Sequence, residues 1–154
     1  MGLVLRSPAF EQGGWIPKKH TCDGANLSPA LRWENPRDDA RSFVILCTDP
    51  DAPGGIFRHW AAYDIPADWR ELAEGHGPES LADGFKQAVN DFGKPGYAGP
   101  CPPEGHGPHH YHFRLMVLPE RTLPVAAGVT CAEVQAVAEQ SVFEEFELVG
   151  LYER

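Results

Sequence analysis

The chain has 154 residues, of which 42% are apolar, and a formal net charge of −9 with histidine counted as neutral. This length fits one domain over residues 1–154, and a chain of this size buries roughly 68–70% of its unfolded surface without needing staples. The negative field disfavours nucleic acid and anionic membrane surfaces as partners, and no segment approaches the ~20 apolar residues of a membrane span.

Met1 to Arg6 shows neither a long apolar run nor a cleavage pattern, so no secretory signal is visible and the cytoplasm is the expected compartment. Cys22, Cys47, Cys101 and Cys131 lie far apart with no CxxC spacing, which in a cytosolic protein predicts free thiols. The 15 prolines and 16 glycines are scattered between apolar runs, as in a sheet protein with many rigid turns.

Leu3 to Phe10 reads as an opening strand, and Asp23 to Pro29 as a turn-rich loop leading into Leu31-Arg32-Trp33. Ser42 to Thr48 is a continuous apolar run with β-branched residues, predicting a central strand buried on both faces. Ile56 to Ile65 predicts another strand, ended by Pro66, and Asp68 to Leu72 a single helical turn inside an ambiguous stretch over 67–90. Tyr111 to Leu118 predicts a third strand. Thr130 and Glu133 form a capping box ahead of Val134, Val137 and Ala138, which predicts a helix. Phe146 to Tyr152 alternates like a closing strand. Trp33, Trp60, Trp69 and Met116 are expected to pack in the interior. The fold class is mainly β with one or two short helices.

Two loops stand out. Asp49-Pro50-Asp51-Ala52-Pro53-Gly54-Gly55 leads into Phe57 and His59, and Gly99 to Pro108, with Pro102 and Pro103, leads into His109 and Tyr111. Strand residues two apart share a face, so Phe57 pairs with His59 and His109 with Tyr111, and an extended Asp49-Pro50-Asp51 puts both carboxylates on one side. A carboxylate accepting from one imidazole nitrogen fixes the tautomer, raises the imidazole pKa and favours a cation suited to a small anion. Each feature alone is as readily structural: an Asp-Pro-Asp turn is usually just a turn. The two loops together carry the functional reading.

His106, His109, His110 and His112 invite a metal, but His110 and His112 face away from His109 and the tight ligand spacings are missing. No metal or cofactor is expected. No G-x-S-x-G elbow is present, and Cys101 reads as a packing thiol before it reads as a nucleophile.

These residues resemble the phosphatidylethanolamine-binding protein family, in its bacterial Raf-kinase-inhibitor-like branch. The resemblance runs through Asp23-Gly24-Ala25-Asn26-Leu27-Ser28-Pro29 with Leu31 and Trp33, through Asp49 to Trp60, and through Gly99 to Pro103 on to His109 and Tyr111. It closes with Leu148-Val149-Gly150 and Tyr152-Glu153-Arg154. It implies a large antiparallel β-sheet packed on a smaller sheet, with an anion pocket at Asp49, Asp51, Phe57, His59, Pro102, Pro103, His109 and Tyr111. His110 stands where the family usually has arginine, which weakens the positive field at the second loop. Eukaryotic members bind phosphoethanolamine-type head groups and phosphorylated partners, and some inhibit kinases or proteases. The resemblance implies no general enzymatic activity.

The expected function is therefore small-anion binding, of a phosphate or phosphomonoester, by a non-enzymatic module. Two rivals stand beside it. One is a hydrolase using Asp49 and His59 as an acid–base pair, and the other an inhibitor that docks its loops on a kinase or protease. A homodimer through an exposed sheet edge is also open.

Overall fold

The fold is described from a computed structural model over residues 2–76 and 84–154. Among these residues the strands are β1 (Val4–Arg6), β2 (Leu31–Glu34), β3 (Ser42–Asp49), β4 (Phe57–Pro66), β5 (Glu71–Leu72), β6 (Lys86–Gln87), β7 (His109–Leu118) and β8 (Glu144–Tyr152), with one α-helix, α1 (Cys131–Glu139), and a short 3₁₀ helix at Lys18–His20. Five strands form an antiparallel sheet in the order β6-β4-β3-β7-β8, and three form a smaller one in the order β1-β2-β5.

β3 is apolar from Phe43 to Cys47 because both its faces are covered there. Phe43, Ile45 and Cys47 point into a core shared with Leu5, Leu31, Trp33 and Leu72 of the small sheet, while Val44 and Leu46 point at Val134 and Ala138 of α1. The molecule is thus layered: small sheet, large sheet, helix. Trp60 joins the first core and Met116 the second, and Trp69 packs partly buried against the first.

Two expectations change. Asp68 to Leu72 is not a helical turn: Glu71 and Leu72 pair with Arg32 and Leu31 as β5, which buries Leu72 in the core. Tertiary pairing outweighs a weak local preference there. The opening strand is only Val4–Arg6, since Pro8 has no N–H with which to extend the ladder. Of the ambiguous stretch over 67–90, residues 77–83 lie outside the described residues.

The β8 edge of the large sheet is covered by the chain's own N-terminal segment. Gly13 and Ile16 donate their N–H groups to Val149 and Leu151, and Gln12 bonds the backbone of Glu147 and Val149. Gly150 has no side chain because a Cβ there would meet Ile16 and Phe10 of this segment at 2.6–2.9 Å.

A histidine cluster at the end of the large sheet

The site forms where β3 ends and β4 and β7 begin. Asp49, the last residue of β3, turns the chain with its side chain: one carboxylate oxygen accepts the Asp51 N–H at 2.8 Å. The other accepts Nδ1–H of His109, the first residue of β7, at 2.6 Å. Because a carboxylate only accepts, this bond assigns the His109 proton to Nδ1. Nε2 of His109 then accepts from Nδ1–H of His106, again at 2.6 Å. Asp49, His109 and His106 form one hydrogen-bonded chain running from the interior (Asp49 is 3% and His109 2% exposed) to the surface, where His106 lies exposed.

His59 enters from β4 through a bulge. Cys47 pairs with Trp60 and Thr48 with Arg58, so His59 is an extra residue without a partner on β3. The bulge turns His59 toward the side that Trp60 already occupies, a re-aiming typical of bulges beside functional sites. Its ring lies 5.4 Å from Tyr111 and 4.8 Å from Phe57 between centroids, while Arg58 is sent to the opposite side and reaches Gln135 of α1. Nδ1–H of His59 donates to the Ala98 carbonyl at 2.7 Å, leaving Nε2 as the acceptor. Burial holds the His59 pKa below the ordinary imidazole range, against the pull of the Ala98 carbonyl and the Asp49 charge. The Tyr111 hydroxyl is enclosed beside Asp49. Its burial and the nearby Asp49 charge push its pKa well up, so it stays a neutral O–H.

Apolar surface borders these polar groups. The Phe92 ring lies 4.6 Å from Phe57 and 5.6 Å from His59, is 48% exposed, and has exposed Ile56 nearby in sequence to Phe57. Buried Asn90 shapes the turn that presents Phe92, donating to the Gly96 carbonyl and accepting the Phe92 N–H.

Several expected residues come together as anticipated: Phe57, His59, His109 and Tyr111 converge with Asp49. Pro102 is buried and Pro103 exposed, and the Pro103 carbonyl accepts the His106 N–H in the turn that presents this histidine. Other expectations are corrected. Asp51 is not with Asp49, because the turn sends it to the outer side, where it accepts from the backbone N–H and Nδ1–H of His110. Those bonds hold its carboxyl below the usual carboxylate range. Asp49 does not pair with His59, and the His59 pKa is lowered rather than raised. His109 spends both nitrogens within the protein and cannot donate to a ligand as it stands. The cysteines are not all free: Cys22 and Cys101 form a disulfide, leaving Cys47 and Cys131 as buried thiols. A sequence separation of 79 residues carried no sign of that pairing.

His106 and Phe92 escaped the sequence reading. His106 was weighed only as a metal ligand, and its place three residues before His109 in a Gly-rich loop was the available signal. Phe92 sits in an Asn-Asp-Phe-Gly turn that gives no hint of its neighbour 35 residues earlier.

The disulfide and the N-terminal loop brace the second loop. Cys22 N–H donates to the Pro100 carbonyl, Gly99 N–H to the Asn26 side chain, and the Tyr97 hydroxyl to the His20 carbonyl. The approach is so close that a Cβ on Gly99 would stand 1.9 Å from the His20 oxygen, which only glycine permits. Two concavities, about 870 and 330 Å³, lie elsewhere, lined by residues of the small sheet such as Arg6, Arg32 and Glu71.

A small and a large antiparallel sheet, with proline-rich loops placing histidines at one end of the large sheet, define the class of protein. The profile of the family described as Phosphatidylethanolamine-binding protein matches residues 6–153. The chain belongs to this family. A UPF0098 protein of Aquifex aeolicus is 42% identical over 152 residues, covering 99% of this chain and 89% of that one. The crystal structure of YbcL from E. coli, titled a new member of the mammalian PEBP family, matches at a TM-score of 0.93 and 31% identity over 100% of this chain and 99% of its own. The PEBP homologue CT736 of Chlamydia trachomatis matches at 0.87 and 32% identity over 99% and 98%. Among the described residues, no helix is long and apolar enough to cross a membrane.

Proposed function

We propose that the protein is a binding module for a small anion, a phosphate or phosphomonoester head group, and that it acts on a phosphorylated protein, kinase or protease through that group. The observation that carries this reading is the convergence of His59, Tyr111 and the Asp49–His109–His106 chain beside an exposed phenylalanine. Imidazoles that turn from acceptor to donor on protonation suit a ligand whose oxygens are charged. The aromatic lip suits an apolar group attached to it. Family membership supports the same reading without naming a ligand.

With Nδ1 of His59 committed to Ala98, Nε2 contacts an anion only when protonated or when the ligand brings its own proton. Binding should therefore strengthen on the acid side. Calorimetry with inorganic phosphate, phosphoethanolamine and acetate at pH 6 and pH 8 tests this. Phosphate should bind more tightly at pH 6, and His59→Ala should weaken it at least about tenfold, as for one hydrogen bond to a charged group. An affinity unchanged in His59→Ala removes His59 from the site.

Hydrolysis by an Asp49–His59 pair has lost its pairing, since Asp49 is bonded to His109. The cytoplasm is the proposed compartment, but four free thiols no longer support it, and an exposed disulfide fits an oxidising compartment equally well.

A further inference from the structure

His109 has both ring nitrogens engaged, so the second loop must meet a ligand through another atom. Nε2 of His106 is that atom. It ends the chain that begins at the Asp49 carboxylate, and it belongs to an exposed residue on a loop rather than to a strand. We propose that His106 is the ligand-contacting residue of the second loop, and that the Asp49–His109–His106 chain takes up one proton when a tetrahedral dianion binds. The proposal rests on the anion-binding reading above and extends it to a residue and a proton.

The proton bookkeeping follows from the donors. In the free site Asp49 is an anion, His109 carries its proton on Nδ1, and His106 carries its own on Nδ1 facing His109. His106 Nε2 then presents a lone pair, which repels an anion. A proton from solvent on that nitrogen makes an imidazolium whose new N–H donates to a ligand oxygen. No other bond forms or breaks. The positive charge is held by hydrogen bonds leading back to a buried carboxylate.

The surrounding charges allow this. Glu104 of the same loop is engaged by Arg154, which also reaches Asp23 and the Cys101 sulfur. Asp51 is bonded to His110 on the other side of β7. His59 is kept neutral by its burial, and Tyr111 stays protonated. None of these groups competes with His106 for the proton that enters there.

Sulfate and inorganic phosphate are the probes, sulfate because it carries no titrating proton near neutral pH. Calorimetry in two buffers of different ionisation enthalpy counts the protons exchanged. Wild type should take up roughly one proton per sulfate through His106, beyond any that His59 takes up. His106→Asn, a loop variant that can still donate to His109 but cannot be protonated, should lose most of that uptake and bind both anions at least tenfold more weakly. Equal uptake and equal affinity in the two proteins overturn the proposal. If neither anion binds wild type, the anion-binding reading itself has failed, and histidine-ring NMR of the free protein decides on the chain. His109 must then shift with the midpoint of His106 and lose that step in His106→Asn; independent midpoints overturn it.

Discussion

His59 and His20 are 3% and 0% exposed, and desolvation holds both below the ordinary imidazole pKa despite a backbone carbonyl accepting from Nδ1 of each. An unfolded histidine gains its proton near pH 6.5, whereas these two gain it only at lower pH. Between the two values the unfolded chain holds more protons, so the stability they contribute is complete above about pH 6.5 and is lost as pH falls through their folded values. Asp51, Glu74 and Glu139, held low by His110, Lys19 and Arg114 respectively, lose their contribution in a separate window, below about pH 4.5. Urea unfolding should therefore show stability already falling between pH 7 and pH 5, before the carboxylates titrate, and His59→Gln should flatten that early fall. An identical slope in the variant would mean that His59 titrates normally.

At the scale of the elements, the strands were legible because their faces are chemically distinct. β3 reads as apolar from Phe43 to Cys47 because it lies between a sheet and a helix, and β7 alternates because His110 and His112 reach outward to Asp51 and Glu147 while His109, Tyr111 and Phe113 are buried. The bulge at His59 was not legible. It depends on how β4 registers against β3, where the pairs flanking the bulge are Cys47 with Trp60 and Thr48 with Arg58. The helix start is the opposite case, since its signal is local. Glu133 N–H donates to the Thr130 hydroxyl, and the Thr130 N–H donates back to the Glu133 carboxylate. Thr130→Ala should cost about 1 kcal/mol in thermal or urea unfolding. No measurable loss would mean that the packing of Val134 and Ala138, rather than the cap, sets the start of α1.

For the whole molecule, the Cys22–Cys101 disulfide closes a loop spanning 79 residues and pins the N-terminal loop to the one bearing Pro102, Pro103 and His106. Such a crosslink restricts the unfolded chain, and breaking it should cost about 2–4 kcal/mol. Comparing urea unfolding with and without reductant, and with the Cys22→Ser, Cys101→Ser double variant, measures that cost. Thiol titration of the denatured, unreduced protein should find only Cys47 and Cys131 reactive, and in the native state neither, since both are buried and burial drives their pKa values up, to about 12 for Cys131. Four reactive thiols without reductant would show that the bond is not formed.

The sequence by itself determined the long strands β3, β4, β7 and β8, the helix cap, the family, and the meeting of Asp49, His59, His109 and Tyr111 at one place, because each depends on short-range pattern or on motifs quoted whole. Only the tertiary structure decided which carboxylate meets which imidazole. Asp49 went to His109 and Asp51 to His110, His59 was left to a backbone carbonyl, and His106 joined the site. Cys22 found Cys101, and Phe92 found Phe57. The reason is the same in each case. A hydrogen bond or a disulfide needs donor, acceptor and angle within a few tenths of an ångström, and that precision comes from sheet register, a bulge and loop packing between residues distant in the chain.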